Sequence, residues 1–442
     1  MIMGGGKIFH YIFPVSKVFF ILIIALFLPR LFLNFSHSST YAGTSDKKNN
    51  FRLGLEGISS DLIKKIYKTT KSPNIGLVTN QTGKDQYGRR NIDILVKKGL
   101  HLKKIFTPEH GIEGTKLAEK EIIDSIDTKT KIPIISLYGK GRTKNFDKKS
   151  IEDLDILMFD IQDCGMRHYT YITALFQTME IAAKNNKTVV VLDRPNLIGP
   201  LIEGPLVETK FKSDISAAPI PLRYGMTIGE LALYYNTYLL KNKLDLHIVQ
   251  MKNYKRNSPT NNKLLTLLSP NITNLKACHC YSFLGLLGEI KPFYVGVGTN
   301  KAFRCILLPE NISFPKQKWK KIHKLLRSHK VYNRFYRHFD KKKKCYFSGL
   351  EIKIKDIFSL SSFNLLLTII DSFIAEGLDI TFSKSFNKAI GTDKVRNYLD
   401  GKIKKEDLEK EVNSQLDSFF TQASTCFLYT PFPKTEHLSL TS

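Results

Sequence analysis

From Asn74 onward, short apolar runs recur along the chain with polar, helix-patterned stretches between them. The runs are Ile75–Val78, Leu102–Phe106, Ile132–Leu137, Leu154–Phe159, Thr188–Leu192 and Leu246–Met251. They are rich in Val, Ile and Leu and are too short for helices that would bury a face. Strands apolar on both sides, alternating with helices, build a parallel sheet covered on both faces. The pattern therefore predicts an α/β fold with a Rossmann-like parallel-sheet domain. No G-x-G-x-x-G or G-x-x-x-x-G-K-[ST] follows any of these strands, so neither a dinucleotide nor a nucleoside triphosphate cradle is written here, and no cofactor is expected.

Each run is followed by polar residues. Asn80 and Gln81 follow the first, Glu109 and His110 the second, and Tyr138 the third. The fourth ends in Asp160, Gln162, Asp163, Arg167, Tyr169 and Tyr171, and the fifth in Asp193, Arg194 and Asn196. In an open parallel sheet the loops past the carboxyl ends of the strands meet in one crevice, so these groups are expected to converge. A lone aspartate at a strand end caps a helix or pairs with an arginine about as often as it does chemistry. Carboxylates or histidine at several successive strand ends are harder to explain structurally, and Pro108-Glu109-His110-Gly111 is a tight turn where that pair adds little stability.

The N-terminus reads differently. Lys7 and Lys17 precede the apolar Val18–Leu28, which is short for a membrane-spanning helix and suited to a signal sequence, with Thr40-Tyr41-Ala42 as a cleavage site before Gly43. Residues 1–42 are predicted to be a signal peptide or, if 18–35 is retained, a membrane anchor; 43–73 is a linker and lead-in. The protein is expected to be exported. Of 442 residues, 67 are basic and 40 acidic, a net +27, but lysine dominates and the arginine fork that favours nucleic-acid recognition is scarce, so no nucleic-acid partner is expected. The surplus concentrates between Lys301 and Leu350, where 15 basic residues meet only Glu310 and Asp340. There Trp319, Ile322, Leu325, Leu326, Tyr332, Phe335, Tyr336 and Phe339 recur at near-helical spacing, predicting an amphipathic helix with a lysine-rich outer side. The six cysteines include no C-x-x-C pair, so no metal site is expected.

The chain resembles the exo-β-N-acetylmuramidases of the NamZ type. The blocks that carry the resemblance include Gly76–Gly83, Phe106–Gly111, Ser136–Gly139, Phe159–Ile172, Val191–Asn196, Glu203–Pro205, Arg223–Ala232 and Phe386–Arg396. The resemblance implies a Rossmann-like catalytic domain over 74–270 and a smaller α/β domain over 271–442 that completes a cleft. It implies release of N-acetylmuramic acid (MurNAc) from the non-reducing end of peptidoglycan fragments, in wall turnover and recycling. Such cleavage needs two carboxyls. Glu109, beside His110, is the expected general acid, with Asp163 or Asp160 as its partner, although the roles exchange with little loss. Arg167, Arg194 and Arg223 are candidates for the lactyl carboxylate of MurNAc. Tyr138, Tyr169 and Tyr171 are candidates for stacking on the sugar, and Asn80, Gln81, Gln162 and Asn196 for its hydroxyl or acetamido groups. Asp193, Glu203 and Glu289 complete the expected substrate site. One departure stands out: Val297 occupies the place of the family's arginine in a Gly-x-Gly-Thr turn, with Lys301 nearby as a partial replacement. A lapsed, wall-binding protein and a membrane-tethered basic adaptor using Lys316–Lys344 are the competing readings.

Overall fold

All six apolar runs become strands of one sheet. They are β1 (Ile75–Thr79), β2 (Leu102–Thr107), β4 (Pro133–Ser136), β5 (Ile156–Asp160), β6 (Thr188–Leu192) and β7 (Leu246–Val249), joined by a short edge strand, β3 (Ser125–Ile126). The order across the sheet is β7-β6-β5-β1-β2-β4-β3, parallel except for the edge pair β3–β4. The computed structural model describes residues 50–68, 71–116, 122–139, 142–143, 147–257 and 268–438, so the expected signal or anchor segment lies outside the described residues. Among the described residues no helix is long and apolar enough to cross a membrane.

Pleating divides the apolar side chains between two cores. Ile156 and Met158 of β5 face one, with Ile92 and Leu95 of helix α1 (Asn91–Lys97); Leu157 and Phe159 face the other, with Leu175 and Met179 of α2 (Tyr171–Lys184). Every residue of β1, β5 and β6 is buried. The chain lays down β1, β2 and β4 in one direction, then returns to place β5 on the other side of β1. The loops after β1 and β5 thus diverge, and a crevice opens at the carboxyl edge between them.

The first half also carries α3 (Ile228–Tyr234), and the C-terminal half begins with α4 (Leu275–Leu287), capped by the Asn274 side chain, which accepts from the Ala277 N–H at 3.0 Å. It continues with β8 (Cys305–Pro309), α5 (Lys316–Ser328), β9 (Val331–Asp340), β10 (Cys345–Ile354), α6 (Ser362–Ala375) and α7 (Lys405–Ala423). The antiparallel order is β8-β10-β9. Here one expectation is corrected. Trp319, Ile322 and Leu326 do lie on a helix, but Tyr332–Phe339 form a strand. Lys330 adopts a left-handed backbone (φ 59°) that ends the helical stretch, and the aromatic residues then pair with β10. Asp340 shapes the hairpin turn by accepting from the N–H groups of Lys342 and Lys343 at 2.9 and 3.0 Å. The six cysteines are free thiols.

Buried charge ties the two halves together. Arg167 is fully buried and donates to the carbonyls of Pro205 (2.6 Å) and Ile220 (2.7 Å) in the first half, and of Ala389 (3.2 Å) and Ile390 (2.7 Å) in the second. Glu203 pairs with Arg223 at 2.7 Å and accepts from the N–H groups of Ser362 (3.0 Å) and Phe363 (3.1 Å) at the start of α6, where a carboxylate also meets the positive end of the helix dipole. Arg223 itself donates to the carbonyls of Ile357 and Leu360, both at 2.9 Å. Truncating Glu203 to alanine strands a buried guanidinium. We expect Glu203→Ala to lower unfolding free energy by about 3–5 kcal/mol in urea titration; a loss below about 1 kcal/mol would mean that this bridge is incidental.

Candidate functional site

Several groups expected to do chemistry are spent on the scaffold. Asp160 ends β5 fully buried; Arg194 clamps both its oxygens at 2.6 and 3.0 Å, and the Asn91 amide adds a bond of 2.8 Å. Arg194 also donates to the Lys84 carbonyl at 3.1 Å, so this pair pins the β1 loop to the end of β6. Asp193 accepts from the N–H groups of Arg194 (2.8 Å) and Gly229 (2.7 Å) and the hydroxyls of Thr227 (2.9 Å) and Tyr429 (2.6 Å). Gln162 donates to the carbonyls of Asp163 and Pro195 at 2.9 and 2.7 Å. Asn196 shapes a turn through the Met226 carbonyl (2.9 Å) and the Ile198 N–H (3.1 Å). Arg167, Arg194 and Arg223 are all nearly or fully buried with internal partners, although the Nε atoms of Arg167 and Arg223 have none among the described residues.

The tyrosines are also turned inward. Tyr169 and Tyr171 are buried, pack edge to face at 4.7 Å, and both donate to the Leu268 carbonyl, at 2.9 and 2.7 Å. Gln81 donates to the same carbonyl at 2.8 Å. Three donors on one oxygen clamp the segment entering the C-terminal half, and these rings offer no open face for a sugar. Tyr138 is buried at the end of the β4 segment.

What faces the crevice is smaller and more specific. Glu109 is half-buried in the turn after β2 and accepts from the Thr170 hydroxyl at 2.9 Å. The next residue, His110, has φ 73°, a region costly for a residue with a Cβ, and Gly111 follows at φ 75°. The His110 ring is steered by its Nδ1, 2.7 Å from the Lys116 carbonyl, which requires the proton on Nδ1 and leaves Nε2 an acceptor. Strain of this kind holds the turn in one shape. A cavity of about 440 Å³ opens beside it, lined by Thr107, His110, Lys116, Ile122, Asp124 and their neighbours.

Around the switch point lie buried polar atoms with no partner among the described residues: Asn80 Nδ2, Thr107 Oγ1, Asp163 Oδ1 and both ring nitrogens of His168. Each such atom costs about 1–3 kcal/mol, which marks a place where a ligand group fits. The other oxygen of Asp163 accepts from the Tyr224 hydroxyl at 2.5 Å and the Gly165 N–H at 2.7 Å, yet burial pushes its carboxyl up to about 7. Burial and the neighbouring Arg167 push His168 down to about 3, so its imidazole is neutral and offers one donor and one acceptor. His168, Thr170 and Tyr224 were missed as site residues, although the first two lie inside the Asp160–Tyr171 segment that the sequence singles out.

The C-terminal half contributes Tyr281 of α4, whose ring lies 4.8 Å from that of His168 and 4.8 Å from that of Phe303. Burial holds the Tyr281 phenol well above its ordinary value, and Cys164, Asp163, Glu289 and Glu109 raise it further. Glu289 is held by the hydroxyls of Ser383 and Ser385, both at 2.5 Å. The Gly-x-Gly-Thr turn is joined to this wall by Phe303, whose N–H donates to the Val295 carbonyl at 2.8 Å, and by a bond of 3.3 Å from Gly298 to Asn271. The Val297 side chain on that turn is exposed. Lys301 is no substitute for an arginine there, because Glu351 binds it at 2.5 Å together with Arg304 and Arg334.

A raised buried carboxyl has a stability consequence. Between about pH 4 and 7 the native Asp163 holds a proton that the unfolded chain has released, so its favourable contribution is present at low pH and lost as pH rises through about 7. Asp163→Asn is therefore expected to gain more in Tm, relative to the unmodified protein, at about pH 8 than at about pH 5. An equal change at both values would place this carboxyl in water.

Comparison with known proteins now adds to this geometry. The family described as Exo-beta-N-acetylmuramidase NamZ, N-terminal, matches residues 75–276, and its C-terminal counterpart matches 279–429. A curated relative, the Peptidoglycan beta-N-acetylmuramidase NamZ of Bacillus subtilis (strain 168), is 39% identical over 267 residues, which is 60% of this chain and 63% of that protein's length. Two crystal structures of DUF1343 family proteins from Bacteroides fragilis NCTC 9343 superpose with TM-scores of 0.71 and 0.65 at 30% and 27% identity; each match covers 86% of this chain and 99% of the other. With both domain families matched in series over one continuous fold, the chain belongs to the NamZ exo-β-N-acetylmuramidase family.

Proposed function

We propose that this protein is a glycosidase that releases N-acetylmuramic acid from the non-reducing end of peptidoglycan fragments. The observation that carries the reading is a pair of carboxyls in unlike surroundings at the carboxyl edge of the sheet. Asp163 is buried and pushed up to about 7, while Glu109 is half-buried and hydrogen-bonded by Thr170. Environments that differ in this way assign two carboxyls opposite roles. Asp163 then protonates the leaving oxygen, and Glu109 acts as the carboxylate at the anomeric carbon or on the attacking water. This reverses the roles expected from the sequence. Asn80 Nδ2 and the neutral His168 suit an acetamido group, which presents one acceptor and one donor. The Bacillus subtilis relative named as a peptidoglycan beta-N-acetylmuramidase supports this substrate class.

The apolar Val18–Leu28 behind two lysines supports export, which brings the enzyme to wall fragments outside the cytoplasm. A lapsed binder is not favoured. Its motive was Val297, which lies exposed on its turn while the carboxyls at the switch point are intact.

Turnover of a chromogenic MurNAc glycoside tests the assignment. Glu109→Gln is expected to lower kcat by at least about 10²-fold. In the unmodified protein kcat/KM is expected to fall above about pH 7, and Asp163→Asn to abolish that limb along with most activity. Full activity in Glu109→Gln, or an alkaline limb that survives in Asp163→Asn, would contradict these roles.

A further inference from the structure

Far from these carboxyls in sequence, α5 and the β9–β10 hairpin enclose a groove of about 720 Å³. Its floor holds Leu308, Glu310 and Ser348, and its walls are Trp319 of α5 and Phe335 of β9. Phe335 is 49% exposed, and on the same face of the hairpin Phe339 and its cross-strand partner Tyr346 are each 43% exposed. Arg337 crosses this face, paired with Glu310 at 2.7 Å and stacked 3.7 Å above the Tyr346 ring. Half-open rings beside a concave floor that carries a carboxylate and a hydroxyl are ill suited to water and to a purely apolar partner. They suit a sugar, whose ring face stacks on them beside a polar floor in which the Ser348 hydroxyl and the Arg337 fork both bind Glu310.

The charge around the groove narrows the choice. Lys316, Lys320 and Lys324 form a stripe at intervals of four along α5, all exposed and without an acidic partner among the described residues. Like charges at this spacing weaken a helix by about 0.2–0.5 kcal/mol per pair. Lys341–Lys344 add four more at the hairpin tip. A second copy of this chain would bring the same net positive surface against itself. A bilayer would need its apolar contacts on one convex face, yet Tyr332 lies on the opposite face of β9 from Phe335 and Phe339. An anionic glycan meets both features.

We propose that this groove is a second, non-catalytic binding site for peptidoglycan strands carrying acidic stem peptides. Phe335 and Phe339 stack on sugar rings, and the lysines of α5 and the hairpin tip meet the carboxylates. The inference rests on the muramidase reading for its choice of polymer, and it gives the enzyme a hold on the wall from which it removes terminal sugars.

The test is co-sedimentation of the full chain with purified peptidoglycan sacculi, with turnover of the chromogenic MurNAc glycoside measured in parallel. One variant carries Phe335→Ser and Phe339→Ser; the other carries glutamine in place of Lys341, Lys342, Lys343 and Lys344. Each is expected to weaken sacculus binding at least about five-fold while small-glycoside turnover is unchanged. Vesicles of phosphatidylglycerol are expected not to compete. Unchanged sedimentation of both variants would overturn the proposal, and so would competition by the vesicles, which would assign the surface to a membrane. If the unmodified protein sediments but turns over no muramoyl substrate, the catalytic reading fails while the groove stands.

Discussion

A buried guanidinium needs partners for its N–H groups, and Arg167 places its two terminal nitrogens on four backbone carbonyls drawn from both halves of the chain, while its Nε has no partner among the described residues. No carboxylate among the described residues pairs with it, so burial lowers its affinity for the proton, to about 9, and its hydrogen bonds bear the cost of desolvation. Because those carbonyls belong to Pro205, Ile220, Ala389 and Ile390, the two terminal nitrogens find all their partners only when the two halves are docked. Two neighbours of Arg167 in sequence, His168 and Tyr169, are thereby carried to the wall that Tyr281 completes. The placement of the crevice thus depends on an ion held by backbone carbonyls of both halves.

The same logic separates scaffold from chemistry along the sheet's carboxyl edge. Asp160 and Asp193 look alike in sequence to Asp163, each following or closing an apolar strand. Arg194 and Asn91 saturate the first, and two N–H groups and two hydroxyls saturate the second. Asp163 alone of the three keeps one buried oxygen without a partner. That difference is made by residues up to 236 positions away, Tyr429 in the case of Asp193.

This explains what was legible beforehand. The six strands could be read because a doubly buried strand must be apolar at every position, and Thr188–Leu192 matches its run residue for residue. Convergence of Glu109, His110, Asp163 and Asn80 at one edge followed from parallel topology alone. Partners could not be read: an arginine that binds a carbonyl and one that binds a lactyl group have the same letter, and only the structure shows Arg167, Arg194 and Arg223 on internal partners. Tyr169 and Tyr171 likewise read as sugar platforms by residue type, whereas the structure places both hydroxyls on the Leu268 carbonyl. In the basic segment, aromatic spacing near 3.6 continued past the end of α5, and only the left-handed Lys330 reveals the switch to a strand.

The central claim is that substrate recognition falls to the unpartnered groups at the switch point while the arginines serve the scaffold. A crystal structure of Glu109→Gln with the disaccharide MurNAc-GlcNAc bound tests it most directly. The account predicts the sugar against Asn80 Nδ2, His168 and Asp163 Oδ1, with Arg167 and Arg223 still on their carbonyl and Glu203 partners. A lactyl carboxylate seated on Arg167 or Arg223 would contradict it.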